Sequence, residues 1–161
     1  MGWIDHMPKL MGVQAEGSNY MVQAWQNDED ILTKPPIKAQ TAADSISAGL
    51  PRDRIKALAA VKETDGAYIS VSDDEILAAI PVLARGSGVF AEPAGAAAFA
   101  GLVKAVNEGL ISANERIVVI NTGSGLKDVA GAMKAVELAG TQAHRVEPNI
   151  EELKRILQQA T

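Results

Sequence analysis

The residues Ile117-Val118-Val119-Ile120 stand in an unbroken row and run straight into Asn121-Thr122-Gly123-Ser124-Gly125-Leu126-Lys127-Asp128. Four β-branched side chains in succession are stiff in a helix and suit the pleated surface of a strand. No polar residue alternates among them, so they read as a strand covered on both faces, the kind found inside a parallel sheet. Parallel strands are joined by crossovers, which commits the chain to an α/β architecture. In open α/β sheets ligands sit beyond the carboxyl ends of the strands, where glycine lets the backbone come close. Thr122 to Gly125 is therefore the first place to look for a ligand. A Gly-x-Gly alone is more often a plain turn, and the rest of the chain has to supply the context.

Lys9 to Ala15 reads as a strand ending in the polar turn Glu16 to Asn19, with Ser18 or Asn19 as N-cap of a helix bearing Met21, Val22 and Trp25. At that spacing Trp25 belongs to the core rather than to a ligand platform. Asn27 to Pro36 is acidic and closed by Pro35-Pro36, an exposed loop and the best candidate for a mobile segment. Gln40 to Ser47 reads as a short helix. Pro51 opens the next, striped by Ile55, Leu58, Ala59 and Val61 and ended by Asp65-Gly66.

Ala67 to Val71 alternates as a strand, and Ser72-Asp73-Asp74-Glu75 is a capping box. Its helix carries Ile76, Leu77, Ile80 and Leu83, should bend at Pro81, and stops at Gly86 to Gly88. Val89 to Ala91 is a short buried strand. Glu92-Pro93 then opens a small-residue helix, Ala94 to Asn107, in which Gly95, Gly101 and the alanines allow very close approach. Lys127 to Leu138 is an amphipathic helix, and Asn149 with Glu152 starts a last one. The expectation is one α/β domain over 1–161, with 149–161 as a terminal helix. It should be a three-layer α/β/α arrangement, with a mostly parallel sheet of about four strands joined by right-handed crossovers.

Composition narrows the function. A net charge of −5 without a block of like charges argues against nucleic acid and against an acidic membrane surface. No apolar run approaches the ~18 residues that span a bilayer, and the first ten residues lack the apolar stretch of a signal peptide. With no cysteine, disulfides, thiolate nucleophiles and cysteine zinc sites are excluded. His6 and His144 are isolated, so no histidine metal cluster is expected. A soluble, cytoplasmic protein is the expectation.

Three segments go beyond a generic α/β pattern: Gly12-Val13-Gln14-Ala15-Glu16-Gly17, Phe90-Ala91-Glu92-Pro93-Ala94-Gly95-Ala96-Ala97-Ala98, and Thr122-Gly123-Ser124-Gly125-Leu126-Lys127-Asp128. In this order and separation they resemble the carboxyl-terminal half of threonine synthase, of the β-family (fold type II) of pyridoxal-phosphate enzymes. Thr41-Ala42-Ala43-Asp44-Ser45-Ile46 and Leu50-Pro51-Arg52-Asp53 resemble a further segment of it. The acidic-Pro-small-small signature alone would also admit serine or threonine dehydratases and serine racemases. The other two segments favour threonine synthase.

The resemblance implies a partial fold type II domain and a site to match. Thr122 matches the hydroxyl residue that hydrogen-bonds the pyridine nitrogen of pyridoxal phosphate. A neutral partner leaves that nitrogen largely unprotonated, which suits elimination and replacement at the β and γ carbons. Gly123, Ser124 and Gly125 would line the ring's edge, although the family often has a larger residue where Ser124 stands. Glu92 matches an acidic residue at the start of the helix flanking the cofactor, where its simpler role is to cap that helix through the macrodipole. Asp44 and Ser45 match a segment near the cleft, with structural capping as the alternative.

The family's Schiff-base lysine, substrate loop and glycine-rich phosphate loop precede the resembling region. Lys127 belongs to the Leu-Lys-Asp motif and does not replace that lysine. No catalytic residue is therefore expected in this chain, and no metal site. The resemblance implies a fragment: in the intact enzyme O-phosphohomoserine and water would give threonine and phosphate, while this chain alone would be inactive and bind the cofactor weakly or not at all. Its partner would be the missing amino-terminal half or a second copy of the chain, with a homo-oligomer expected. Two alternatives stay open: a non-catalytic binding or assembly module, and a fragment of a dehydratase or racemase.

Overall fold

The strands β1 (Met11–Ala15) and β2 (Ala67–Val71) lie side by side in parallel, with Met11 opposite Ala67 and Ala15 opposite Val71. The computed structural model describes residues 2–112, 114–140 and 145–159, so His144 lies outside the described residues. Between the two strands the chain makes α1 (Tyr20–Gln26), a 3-10 turn at Asp44–Ile46, and α2 (Arg54–Glu63). After β2 come α3 (Asp73–Ser87), α4 (Pro93–Asn107), α5 (Val129–Leu138) and α6 (Ile150–Gln159). None of these helices is long and apolar enough to cross a membrane.

Alternation along the strands sends side chains to two faces of the sheet, and each face has its own core. Tyr68 packs on one side with Tyr20, Met21, Val22, Ala24, Ile31 and Val61, which come from α1, α2 and the loop after α1. Val13, Ala15 and Val71 pack on the other side with Ile76, Leu77 and Ile80 of α3, and with the alanines of α4. Helices thus cover both faces and the three layers are present. Trp25 belongs to the first core, its ring 5.7 Å from that of Tyr68. Burial pushes the Tyr68 phenol up from its ordinary pKa.

The expected sheet of about four strands is reduced to two among the described residues. Val89–Ala91 contributes only one antiparallel bridge, Ala91 to Ser124. Residues 116–120 form no strand; Val118 is 88% and Ile120 71% exposed. β-Branched residues favour an extended backbone, but a ladder exists only where a second strand offers its own donors and acceptors. No such neighbour runs beside this segment among the described residues.

Local signals fared better. Ser72 and Glu75 make the reciprocal capping box in full, and Gly88 ends α3 with a left-handed φ of 74°. Gln40–Ser47 is not a helix but carries only the 3-10 turn, because its polar groups are drawn to other parts of the chain. The Gln40 amide donates to the Gly17 carbonyl (2.8 Å), the Ala48 amide to Ser18 Oγ (2.9 Å) and the Ala42 amide to Asp73 Oδ2 (2.8 Å); the Thr41 hydroxyl also donates to Asp73. Ser18 is thereby spent on this segment. Neither it nor Asn19 caps α1 through a side chain; the α1 amides of Met21 and Val22 donate instead to Gln14 Oε1 of β1, at 2.8 and 3.2 Å.

The loop 27–36, expected to be mobile, is tied down at several points. Ile31 is buried, the Tyr20 hydroxyl donates to the Lys34 carbonyl at 2.8 Å, and Arg54 reaches the Ile31 carbonyl. Lys34, its side chain 6% exposed, pairs with Glu29 and lies 5.2 Å from the centre of the Tyr20 ring. The hydrogen bond from Lys34 holds the Glu29 carboxyl below its usual range. A carboxylate with a depressed folded pKa contributes stability above its unfolded pKa and loses it as the pH falls through the folded value. Glu29→Gln should therefore be less stable than the parent at neutral pH and converge with it in acid. Melting curves from about pH 7 down to about pH 3 check this, and a gap unchanged by pH would refute it.

Candidate functional site

Thr122 to Gly125 does not hang beyond a strand end in open space. It lies on the first turn of α4. The Glu92 amide donates to the Gly123 carbonyl (3.1 Å) and the Gly125 amide to the Phe90 carbonyl (2.9 Å), bracketing the Ala91–Ser124 bridge. The start of α4 can receive the loop because it is made of small residues: Pro93, Ala94, Gly95, Ala96 and Ala97 are all buried. A Cβ on Gly95 would collide with the Asn121 side chain and the Gly123 backbone.

The two loop glycines are required for a similar reason. A Cβ on Gly123 would occupy the place of the Glu92 carboxylate, and one on Gly125 that of the Phe90 ring. The space that glycine leaves here is filled by the chain itself. Beyond the loop, Ser124 Oγ accepts from the Leu126 amide (3.3 Å). Asp128 caps α5 by accepting from the Gly131 amide (2.9 Å).

Glu92 is 5% exposed and directly precedes Pro93 at the start of α4. It was expected to cap that helix, but its side chain accepts no hydrogen bond from the helix amides. Its Oε1 instead accepts from Lys127 Nζ at 3.1 Å. Glu92 thus stands at the amino end of α4, as expected, while its carboxylate points at the loop and pairs there with the lysine. Thr122 is exposed, and its hydroxyl makes no hydrogen bond to any described residue. Of the expected site residues, Glu92, Gly123, Ser124 and Gly125 come together in one compact unit and Thr122 projects from its rim. Asp44 and Ser45 are exposed, and Ser45 Oγ donates to Asp44 Oδ1 at 3.2 Å, so neither caps a helix.

Three participants were missed from sequence: Lys127 as the Glu92 partner, Asn121 against Gly95, and Gln14 as the cap of α1. Gln14 stands inside one resembling segment and Lys127 inside another, which was the one available signal. A groove of about 490 Å³ between α3 and α4, along Ala79, Val82, Phe99 and Val103, includes no residue of the loop.

A parallel sheet clad by helices on both faces, with a glycine loop pressed onto the amino end of a small-residue helix, is a partial α/β domain of the three-layer kind. Residues 1–123 match the family described as pyridoxal-phosphate dependent enzyme, and the chain belongs to that family. Threonine synthase of Methanocaldococcus jannaschii is 41% identical over 159 residues, 98% of this chain and 38% of the relative. Threonine synthase of Methanosarcina acetivorans is 44% identical over 128 residues, 80% of this chain and 31% of the relative. The chain thus spans about a third of the length of these curated relatives. Among solved structures, the processed form of threonine deaminase isoform 2 from Solanum lycopersicum superposes with a TM-score of 0.66 at 26% identity. That match covers 82% of this chain and 36% of the deaminase. The family implies pyridoxal phosphate in the intact enzyme.

Proposed function

We propose that this chain supplies one wall of the cofactor site of a threonine-synthase-like enzyme, converting O-phosphohomoserine and water to threonine and phosphate, and that it does not turn over by itself. The observation that carries this is the Thr122 hydroxyl, exposed and free of hydrogen bonds to described residues, at the rim of a loop whose Gly123 and Gly125 are held by Glu92 and Phe90 just ahead of α4. The identity of 41% to a threonine synthase across 159 residues favours that reaction among those of the family.

Pyridoxal phosphate, when bound, supplies an electron sink at the substrate's α carbon. Thr122 would offer a neutral hydroxyl to the ring nitrogen and hold no proton there. The backbone of Gly123 to Gly125 would border the ring edge, while Glu92 and Phe90 back it from behind. Inactivity alone is proposed because no segment of this sequence matches the family's glycine-rich phosphate loop or its Schiff-base lysine.

The test is to assay the chain with pyridoxal phosphate alone, and then co-expressed with the preceding two-thirds of the Methanocaldococcus jannaschii relative. Phosphate release from O-phosphohomoserine should be absent in the first case and present in the second. Turnover by the chain alone would overturn the proposal. Ammonia release from threonine without phosphate release from O-phosphohomoserine would favour the second reading, a deaminase-type enzyme, which the likeness to the tomato structure motivates.

A further inference from the structure

We infer that Glu92 and Lys127 act as one clamp that positions Thr122, so that both are positioning residues for the cofactor-facing loop. This rests on the role proposed above for Thr122. Glu92 grips the loop twice. Its amide donates to the Gly123 carbonyl at 3.1 Å, and its carboxylate, lodged where a Gly123 side chain would be, accepts from Lys127 Nζ at 3.1 Å. The first grip holds the loop one residue after Thr122 and the second holds it at the far end of the Ser124–Lys127 turn, which the Lys127 amide closes on the Ser124 carbonyl at 3.0 Å. The loop cannot slide along α4 without breaking one of them.

The energetic asymmetry makes the pair act as a unit. The Glu92 side chain is 6% exposed and that of Lys127 62%. A carboxylate that sheltered is tolerated because a cation meets it, so removing the lysine leaves a buried charge unpaired. That charge then seeks water by leaving Gly123, which releases the loop. Removing the carboxylate charge releases Lys127 to solvent and loosens the same turn. Neither side chain needs to touch the cofactor for this, since the quantity controlled is where the Thr122 hydroxyl points.

The test is a double-mutant cycle on the full chain, read by amide hydrogen exchange without cofactor. Lys127→Met, at an exposed position that threatens folding least, and Glu92→Gln should each speed exchange of the Gly125 and Leu126 amides by about tenfold. The double variant should be no faster than either single one, Lys127→Arg should restore protection, and the α3 amides of Ile76 to Ala79 should keep the parent rate. Additive single effects, failure of arginine to rescue, or equal acceleration in α3 would each overturn the clamp. Because exchange is read without cofactor or substrate, the clamp can fail while the enzyme assignment stands, and the reverse.

Discussion

Tyr20→Ala should lower the unfolding free energy of the chain by about 3–5 kcal/mol, a large share of the roughly 5–15 kcal/mol that holds a domain together. Tyr20 is fully buried at the start of α1 and sits in the core on one face of the sheet. It serves that core in three ways at once. Its ring fills space among residues that include Val22 and Val61, its hydroxyl donates to the Lys34 carbonyl at 2.8 Å, and its face lies under the Lys34 ammonium. Alanine leaves a cavity, frees the carbonyl, and removes the contact that anchors the loop after α1. Tyr20→Phe keeps the ring and loses only the hydrogen bond, so it should cost about 0.5–1.5 kcal/mol. Thermal or denaturant unfolding of the two variants separates packing from hydrogen bonding. Equal costs would show that the hydroxyl, not the ring, dominates.

Thr122→Val, placed in the reassembled enzyme, should lower kcat/KM for O-phosphohomoserine by about 10- to 100-fold while leaving the melting temperature of the isolated chain unchanged. Valine has the shape of threonine without the hydroxyl, and the side chain is exposed, so no core contact is lost. Thr122→Ser should retain most activity. Thr122→Asp should shift the absorbance of bound cofactor, because a carboxylate favours protonation of the ring nitrogen that a hydroxyl leaves neutral. A valine variant with parental turnover would remove Thr122 from the site.

What the sequence disclosed was what depends on near neighbours. The capping box at Ser72 and Glu75 involves residues three apart, and it formed as expected. The stop at Gly88 depends on one backbone angle, and β2 on its own alternation. What it concealed was pairing over distance. Glu92 was read from its place at the start of a helix, and nothing local showed that its carboxylate meets a lysine 35 positions later. Gly123 was read as letting a ligand come close, and nothing local showed that the side where a Cβ would stand is filled by Glu92. The small polar residues of 40–47 suggested a helix, but the segment's Gln40 and Ala42 amides and Thr41 hydroxyl bond to Gly17 and Asp73 instead. In each case the local pattern named a need for a partner or for space without saying which distant group would meet it.

The extended run at 117–120 carries a consequence for handling the protein. Residues 116–121 contain no proline and no glycine, and four of the six are β-branched. Ile117, Val118 and Ile120 are open to solvent. A short segment of that kind, left without a neighbouring strand, is the raw material of steric-zipper stacking between copies. Glu115 and Arg116 stand at its amino end, and in any parallel, in-register stack each would meet its own like charge. Like charges meeting at that position weigh against such stacking, which is the part gatekeeper residues play beside an apolar run.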